Sequence, residues 1–109
     1  MNVAGSEINS NLIIIVNDNE QSIAEVHGGM YKNLAELRET GGTASNNLFK
    51  AFGLDYIYEE NGNDIASLIS LFRKVKDTDH PIVVHIHTQK GKGYEIAEKD
   101  KEGWHWCMP

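Results

Sequence analysis

The feature that most constrains the fold is an unbroken apolar run, Leu12 to Val16, that stops abruptly at the polar sequence NDNE (residues 17–20). The run is rich in isoleucine and lacks the alternation of a half-exposed strand, which is typical of a parallel strand covered on both faces. HPIVVHIHT (residues 80–88) is a second β-like run, and DYIYEE (residues 55–60) is a plausible short strand. We therefore predict three parallel strands, near residues 12–17, 55–59 and 81–88.

Helical patterns separate these predicted strands. Apolar residues recur at helical spacing in GGMYKNLAELRE (residues 28–39), and the short amphipathic segment NLFKAFG precedes the second strand. An apolar stripe then runs from Ile65 to Val75, with Asp64 as a good N-cap, and we expect this helix to be the longest. The order strand, helix, strand, helix, strand predicts an α/β fold, a three-layer, mainly parallel sheet flanked by helices.

Length and composition narrow the class of protein. The 109 residues allow one domain at most, and the net charge of -6 argues against a nucleic-acid or anionic-membrane surface. The single Cys107 cannot form an internal disulfide, and no apolar run approaches membrane-spanning length. These features predict a soluble, cytoplasmic chain. MNVAGSEINS (residues 1–10) reads as the end of a helix that stops at Gly5, so we expect the chain to be part of a larger domain.

Polar clusters follow the first and last predicted strands, as NDNEQS and HTQKGKGY. Ligands gather at the carboxyl ends of parallel strands, and Asn and Asp oxygens are hard ligands that suit Mg²⁺. The plain alternative, which composition alone favours, is that NDNE only turns the chain. Gly91 and Gly93, with Lys90 and Lys92, could let backbone amides and an ammonium group approach a diphosphate. A lone GxG is weak evidence, and such lysines are more often merely solvated.

The histidines and tyrosines have simpler interpretations. His85 and His87 alternate along a strand and share one face. Without cysteines or carboxylates at zinc spacing, we expect them to satisfy local hydrogen bonds and not to bind metal. Tyr56 and Tyr58 are assigned to the core. His105, between two tryptophans, is a further candidate for function.

Taken together, the motifs resemble one enzyme family. IIIVNDNEQSI, LFKAFGLDYI, NGNDI, HIHTQKGKGYEIAEKD and WH are similar, in this order, to 1-deoxy-D-xylulose-5-phosphate synthase. That family uses thiamine diphosphate and is related to transketolase, and the resemblance covers nearly the whole chain. It implies a reaction that joins pyruvate to glyceraldehyde 3-phosphate with loss of CO₂, with thiamine diphosphate and Mg²⁺ as cofactors.

The resemblance also implies site residues. In thiamine-diphosphate enzymes the cofactor motif begins with GDG at one strand end and closes with NDN or NN at the next. Carried over, Asn19 would be the side-chain ligand of Mg²⁺ and Gln21 would offer its carbonyl oxygen. Ser22 and Ile23 would bind the cofactor, and Lys90 would lie near its diphosphate.

The same resemblance implies roles for further residues, and at other positions the sequence departs from the family pattern. Asn17 and Asp18 would shape the loop, and His105 would be the candidate catalytic residue near substrate or cofactor. The chain contains no GDG, and its segment between NDN and LFKAFG is much shorter than in typical members. NGND stands where DGHD is usual, so Asn61 and Asn63 replace Asp and His.

These departures define what we expect of the chain. Residues 1–109 would form the C-terminal part of a thiamine-diphosphate-binding domain, inactive alone because the GDG half of the motif is missing. Partners would be the small-molecule substrates and a second copy, in a homodimer or a self-associating fragment, with no nucleic acid and no membrane. Alternatives are a transketolase-like paralogue, or a non-catalytic module that binds phosphate or a partner protein.

Overall fold

A computed structural model describes residues 10–20 and 28–99. Strands and helices alternate through this part of the chain, as the sequence pattern predicts. In chain order they are β1 (Ile13–Asp18), α1 (Gly29–Glu39), α2 (Leu48–Ala51), β2 (Asp55–Glu59), α3 (Ile65–Val75), β3 (Ile82–His87) and α4 (Glu95–Lys99).

The three strands form one parallel sheet in the order β1-β3-β2, with β3 in the centre. Ile82 is the register partner of both Ile13 and Asp55, so the strands start level with one another. At the other end Asp18 lies opposite His87. The predicted parallel sheet is confirmed, and the carboxyl ends of its strands meet at one edge.

Helices lie on both faces of the sheet, although the prediction that β1 is covered on both faces is wrong at Ile15, which is 52% exposed. Val83 and Val84 point to opposite faces of β3 and both are fully buried, as expected for a central parallel strand. The core on one face, under α1 and α2, consists of Leu34, Leu37, Phe49, Leu54 and Val83. The core on the other face, under α3, consists of Leu71, Val75, Val84 and Ile86. The three-layer α/β prediction is therefore confirmed.

Side-chain caps start two of the helices where the sequence indicates. Asp64 accepts a hydrogen bond from the Ser67 amide at 3.1 Å and so begins α3. Asn47 caps α2 in the same way, accepting from the Phe49 amide at 3.0 Å. The prediction that α3 is the longest helix is wrong, because α1 and α3 both have 11 residues. The apolar stripe of α1 is sparse, but the good helix formers between its apolar residues sustain it to Glu39.

Among the described residues, no helix combines the length and the apolar character needed to cross a membrane. The predictions that concern Gly5, the two tryptophans and Cys107 lie outside the described residues.

Exposed apolar residues in β1 and directly before it lead us to predict that the chain self-associates. Within the described sheet β1 pairs on one side only, and its Ile15 side chain is 52% exposed, with Leu12 also exposed. Exposed apolar strand edges rarely stay in water, so we expect the chain to self-associate, and Ile15→Lys to shift it toward the monomer. Light scattering over a range of concentrations measures both. Asn11→Lys, which adds the same charge without removing apolar surface, is the matched control. A wild-type chain that is monomeric at every concentration would contradict the prediction.

Candidate functional site

Backbone and side-chain hydrogen bonds lock the three strand ends together. The Thr88 amide donates to the Asp18 carbonyl at 2.9 Å, and the Thr88 hydroxyl donates to Asn17 Oδ1 at 2.7 Å. On the other side of β3, the Gly62 amide donates to the His87 carbonyl at 2.9 Å. The segment that follows β3 therefore holds the loops after β1 and β2 on either side of it.

Asp18, the last residue of β1, is the centre of a buried polar cluster. Only 7% of it is exposed. Its Oδ2 lies 2.5 Å from Arg38 Nη1 and 2.8 Å from His85 Nε2, and its Oδ1 accepts the Glu20 amide at 3.0 Å. Burial alone would raise the pKa of Asp18, but the hydrogen bonds from His85 and Arg38 outweigh it and lower that pKa to about 2. Asp18 is therefore an ionised carboxylate held by three donors.

The alternation of side chains along the strands explains how this cluster forms. Asp18 and His85 fall on the face of the sheet that α1 covers, together with Val16 and Val83. Arg38 belongs to the last turn of α1 and reaches the end of β1 from that face. The cluster is thus the polar continuation of the apolar core under α1.

His85 is fully buried and links Asp18 to Tyr56. Its Nδ1 lies 2.7 Å from the Tyr56 hydroxyl. Burial, with the charge of Asp18, raises the pKa of Tyr56, so the phenol keeps its proton and can donate it to Nδ1. In that arrangement His85 Nε2 carries the hydrogen that is donated to Asp18 Oδ2. The expectation that His85 satisfies local hydrogen bonds is confirmed, whereas assigning Tyr56 to the core missed its polar role.

A more exposed set of contacts crosses the same edge of the sheet. His87 lies between two carboxylates, with Nε2 3.3 Å from Glu20 Oε1 and Nδ1 3.1 Å from Glu60 Oε1. The Tyr58 hydroxyl also donates to Glu60, and hydrogen bonds from Tyr58 and His87 lower the pKa of Glu60. Arg38 Nε, 3.5 Å from Glu20 Oε1, joins this set to the buried cluster.

Two clefts lined by described residues open at this edge. The first, here called the Asn19 cleft, has a volume of about 160 Å³. Its lining consists of Asn19, Glu20, His87, Thr88, Gln89 and Lys90. The second has a volume of about 340 Å³ and is lined by residues 60–64, 87–89 and 92. Residues 87–89 form a wall common to both clefts.

The structure brings two of the predicted site residues together. Asn19, from the loop after β1, and Lys90, from the loop after β3, line the Asn19 cleft. The other predicted site residues lie outside the described part of the chain, namely Gln21, Ser22, Ile23 and His105. Within residues 10–20 and 28–99, no three His, Cys, Asp or Glu side chains are arranged to hold a metal ion.

Two features of the edge differ from the sequence interpretation. Gly91 has a φ of 76°, and a Cβ there would lie 2.7 Å from the Ala97 Cβ, so close packing against α4 is one reason for this glycine. Arg38 was not predicted as a site residue, although its guanidinium group pairs with both Asp18 and Glu20. The sequence did contain an indication of such a residue, because it places an Asp at the end of one strand and a His within another apolar strand. Polar groups buried at these positions need a partner.

Comparison with known proteins identifies relatives of one kind. The family model described as 1-deoxy-D-xylulose-5-phosphate synthase matches residues 1–46 and 40–88. The chain is 34% identical to the 1-deoxy-D-xylulose-5-phosphate synthase of Yersinia pseudotuberculosis serotype O:1b (strain IP 31758), over 91% of this chain and 21% of that protein. It is 31% identical to the enzyme of the same name from Shewanella sediminis (strain HAW-EB3), over 96% of this chain and 22% of that protein. The chain thus spans about a fifth of the length of these curated relatives.

The matches also locate a difference from the relatives. The Yersinia alignment runs over 131 positions, more than the 109 residues of this chain, so the relative has stretches without a counterpart here. The two segments matched by the family model meet at residues 40–46, where the chain turns between α1 and α2 with positive φ at Gly41 and Gly42. This supports the expectation that the segment between NDN and LFKAFG is shorter here than in typical family members. The motifs, the sheet and these matches agree, and the chain belongs to the 1-deoxy-D-xylulose-5-phosphate synthase family.

Proposed function

We propose that this chain supplies the diphosphate side of a thiamine-diphosphate site in a 1-deoxy-D-xylulose-5-phosphate synthase. The reaction would condense pyruvate with glyceraldehyde 3-phosphate and release CO₂. The observation that carries the proposal is that Asn19 and Lys90, which are far apart in the sequence, line one cleft at the carboxyl ends of β1 and β3. This is the edge of an open parallel sheet at which ligands bind.

The donor groups of the Asn19 cleft suit a Mg²⁺–diphosphate unit. The amide oxygen of Asn19 is a hard, neutral ligand, and the Lys90 ammonium can neutralise phosphate oxygens. The described residues offer no cluster of anionic side chains for a metal, so phosphate oxygens would complete the coordination of Mg²⁺. When bound, thiamine diphosphate supplies the carbanion chemistry.

The groups of the protein would then bind and orient the metal ion and the cofactor. Asn19 would hold Mg²⁺ through its side chain and Gln21 through its carbonyl oxygen, with Ser22 and Ile23 along the cofactor. Lys90 would orient the diphosphate. His105 would lie near the substrate or the cofactor.

The proposal also includes the partners of the chain and its cellular compartment. The partners would be small molecules, and two copies would associate, as the exposed apolar residues of β1 favour. The single cysteine supports a reducing, cytoplasmic compartment, and the net charge of -6 argues against a nucleic-acid surface.

Calorimetric titration of thiamine diphosphate in the presence of Mg²⁺ tests the proposal. These 109 residues contain no GDG sequence, so we expect weak or undetectable binding by the chain alone. Joined to the GDG-bearing segment and the remaining domains of a full-length family member, the chain should bind the cofactor measurably. Asn19→Ala in that protein should weaken binding about tenfold or more, because a coordinate bond to the hard cation is lost.

Asn11→Ala is the matched control, since it makes the same substitution at the opposite end of β1 and should leave affinity unchanged. Tight cofactor binding by the 109-residue chain alone would overturn the half-site proposal. Normal affinity in the Asn19→Ala protein would overturn the assignment of Asn19.

A further inference from the structure

Two oxygen-bearing side chains, Asp18 and Asn19, stand side by side at the end of β1. A carboxylate is ordinarily the stronger ligand for a hard divalent cation, yet the proposed function gives the cation to the amide. We propose that Arg38 and His85 are positioning residues that withhold Asp18 from the metal and so make Asn19 the ligand. This inference rests on the proposed function and explains its choice of ligand.

Both carboxylate oxygens of Asp18 already accept hydrogen bonds within the protein. Oδ2 is shared by Arg38 at 2.5 Å and His85 at 2.8 Å, and Oδ1 accepts the Glu20 amide at 3.0 Å. Asp18 is buried and does not line the Asn19 cleft, whereas Asn19 does. To reach a cation there, Asp18 would have to leave Arg38 and strip a fully buried His85 of its acceptor, which is costly.

One guanidinium group holds the carboxylates on both sides of Asn19. Arg38 Nη1 contacts Asp18, and Arg38 Nε lies 3.5 Å from Glu20 Oε1. Glu20 has a φ of 68°, a left-handed conformation that non-glycine residues rarely adopt. The bond from the Glu20 amide to Asp18 Oδ1 is the Asx-type contact that favours such a turn. The contacts of Arg38 therefore maintain the turn in which Asn19 lines the cleft and Asp18 is buried.

Titration with Mn²⁺ alone, followed by paramagnetic broadening of NMR signals, tests this inference on the 109-residue chain. The method detects weak sites, so it does not depend on cofactor binding. In the wild-type background, Asn19→Ala should weaken Mn²⁺ binding. Arg38→Met should remove the charged partner of Asp18 and leave His85 as its remaining side-chain partner, so that the carboxylate can turn toward the cation. We expect Mn²⁺ binding to tighten about tenfold, the scale of one carboxylate meeting a divalent cation near water.

The decisive measurement is a double-mutant cycle. In the Arg38→Met background, Asn19→Ala should no longer weaken Mn²⁺ binding, because Asp18 has become the ligand. Adding Asp18→Asn to Arg38→Met should remove the gain in affinity. Arg38→Lys should behave like the wild type, because an ammonium group can still pair with Asp18. Arg73→Met, which removes an exposed arginine from α3, controls for the change in net charge and should leave Mn²⁺ affinity unchanged.

The inference is overturned if Asn19→Ala weakens Mn²⁺ binding equally with and without Arg38→Met. It is also overturned if Arg38→Met leaves Mn²⁺ affinity at the wild-type value. Should Arg38→Met fail to fold, Arg38→Gln, which keeps a hydrogen-bond donor but loses the charge, takes its place in the same cycle. Failure of the proposed function is seen separately in the thiamine-diphosphate titrations, as tight binding by the 109-residue chain alone or as normal affinity in the full-length Asn19→Ala protein.

Discussion

Asp18→Ala is expected to destabilise the fold by about 3 kcal/mol, because removing one member of a buried ion pair strands its partners. The stranded groups are the guanidinium of Arg38, whose side chain is 17% exposed, and the fully buried imidazole of His85. Urea denaturation followed by circular dichroism measures the loss as a lower transition midpoint.

Asp77→Ala is the matched control. Asp77 pairs with Lys76 at 3.4 Å, but both side chains are largely in solvent, so its loss should change stability by less than about 0.5 kcal/mol. Equal effects of the two substitutions would show that the Asp18 cluster contributes no more than a surface ion pair.

The same cluster predicts how stability depends on pH. The pKa of Asp18 falls from an ordinary 3.8 to about 2 on folding, so its contribution is fully present above pH 3.8 and is lost as the pH falls toward 2. That contribution is about 2.5 kcal/mol at most. The difference in stability between the wild type and Asp18→Ala should therefore shrink between pH 5 and pH 2, which urea titrations at each pH measure. A difference that stays constant with pH would contradict the assignment of an ionised Asp18.

Gly62→Ala should also destabilise the fold by about 3 kcal/mol, the upper end of the usual cost of overpacking. A Cβ at this position would lie 2.4 Å from the His87 carbonyl oxygen and 2.8 Å from Thr88 Cγ2. Backbone cannot yield as a flexible side chain does, so the loop after β2 would have to move away from β3. That movement would break the hydrogen bond from the Gly62 amide to His87 and widen the cleft lined by residues 60–64.

Gly29→Ala is the control for Gly62→Ala. Apart from its chain neighbours and the backbone of its own helix, no atom of the described residues lies within 4 Å of a Cβ at Gly29, and the residue begins α1. Alanine there should leave stability unchanged or raise it by less than about 1 kcal/mol. Thermal unfolding of both variants compares them directly, and a Gly62→Ala protein as stable as the wild type would show that the loop can shift at no cost.

Local signals in the sequence were enough to predict the parallel sheet. The isoleucine-rich runs of β1 and β3 lack the alternation of a half-exposed strand, which is typical of parallel strands, although Ile15 of β1 is 52% exposed in the structure. The stripe of α3 has a clear helical period. α4 was not predicted, because five residues are too few to show a periodic pattern. The relative lengths of α1 and α3 were also misjudged, since helix ends depend on residue propensities that the apolar pattern does not reveal.

The candidate site was less accessible to sequence reasoning. The loops that carry Asn19 and Lys90 were recognised as polar clusters after the first and last predicted strands, and the family resemblance then assigned roles to the two residues. The level strand ends explain why both residues line one cleft. The Asp18 cluster was missed because its partners are distant in the sequence, with Arg38 20 positions and His85 67 positions away. No local pattern reports such contacts, and Arg38 looks in the sequence like any other polar residue of an amphipathic helix.

The position of β3 in the centre of the sheet has a consequence for how the chain folds during synthesis. β1 and β2 do not pair with each other, and each is hydrogen-bonded to the strand that the ribosome makes last among the three. Local structure such as α1 and α2 can form early, but the sheet must wait for residues 82–87 to emerge. Until then the isoleucine-rich β1 has no strand partner among the described residues, and we expect the nascent chain to be most exposed to aggregation at this stage of synthesis.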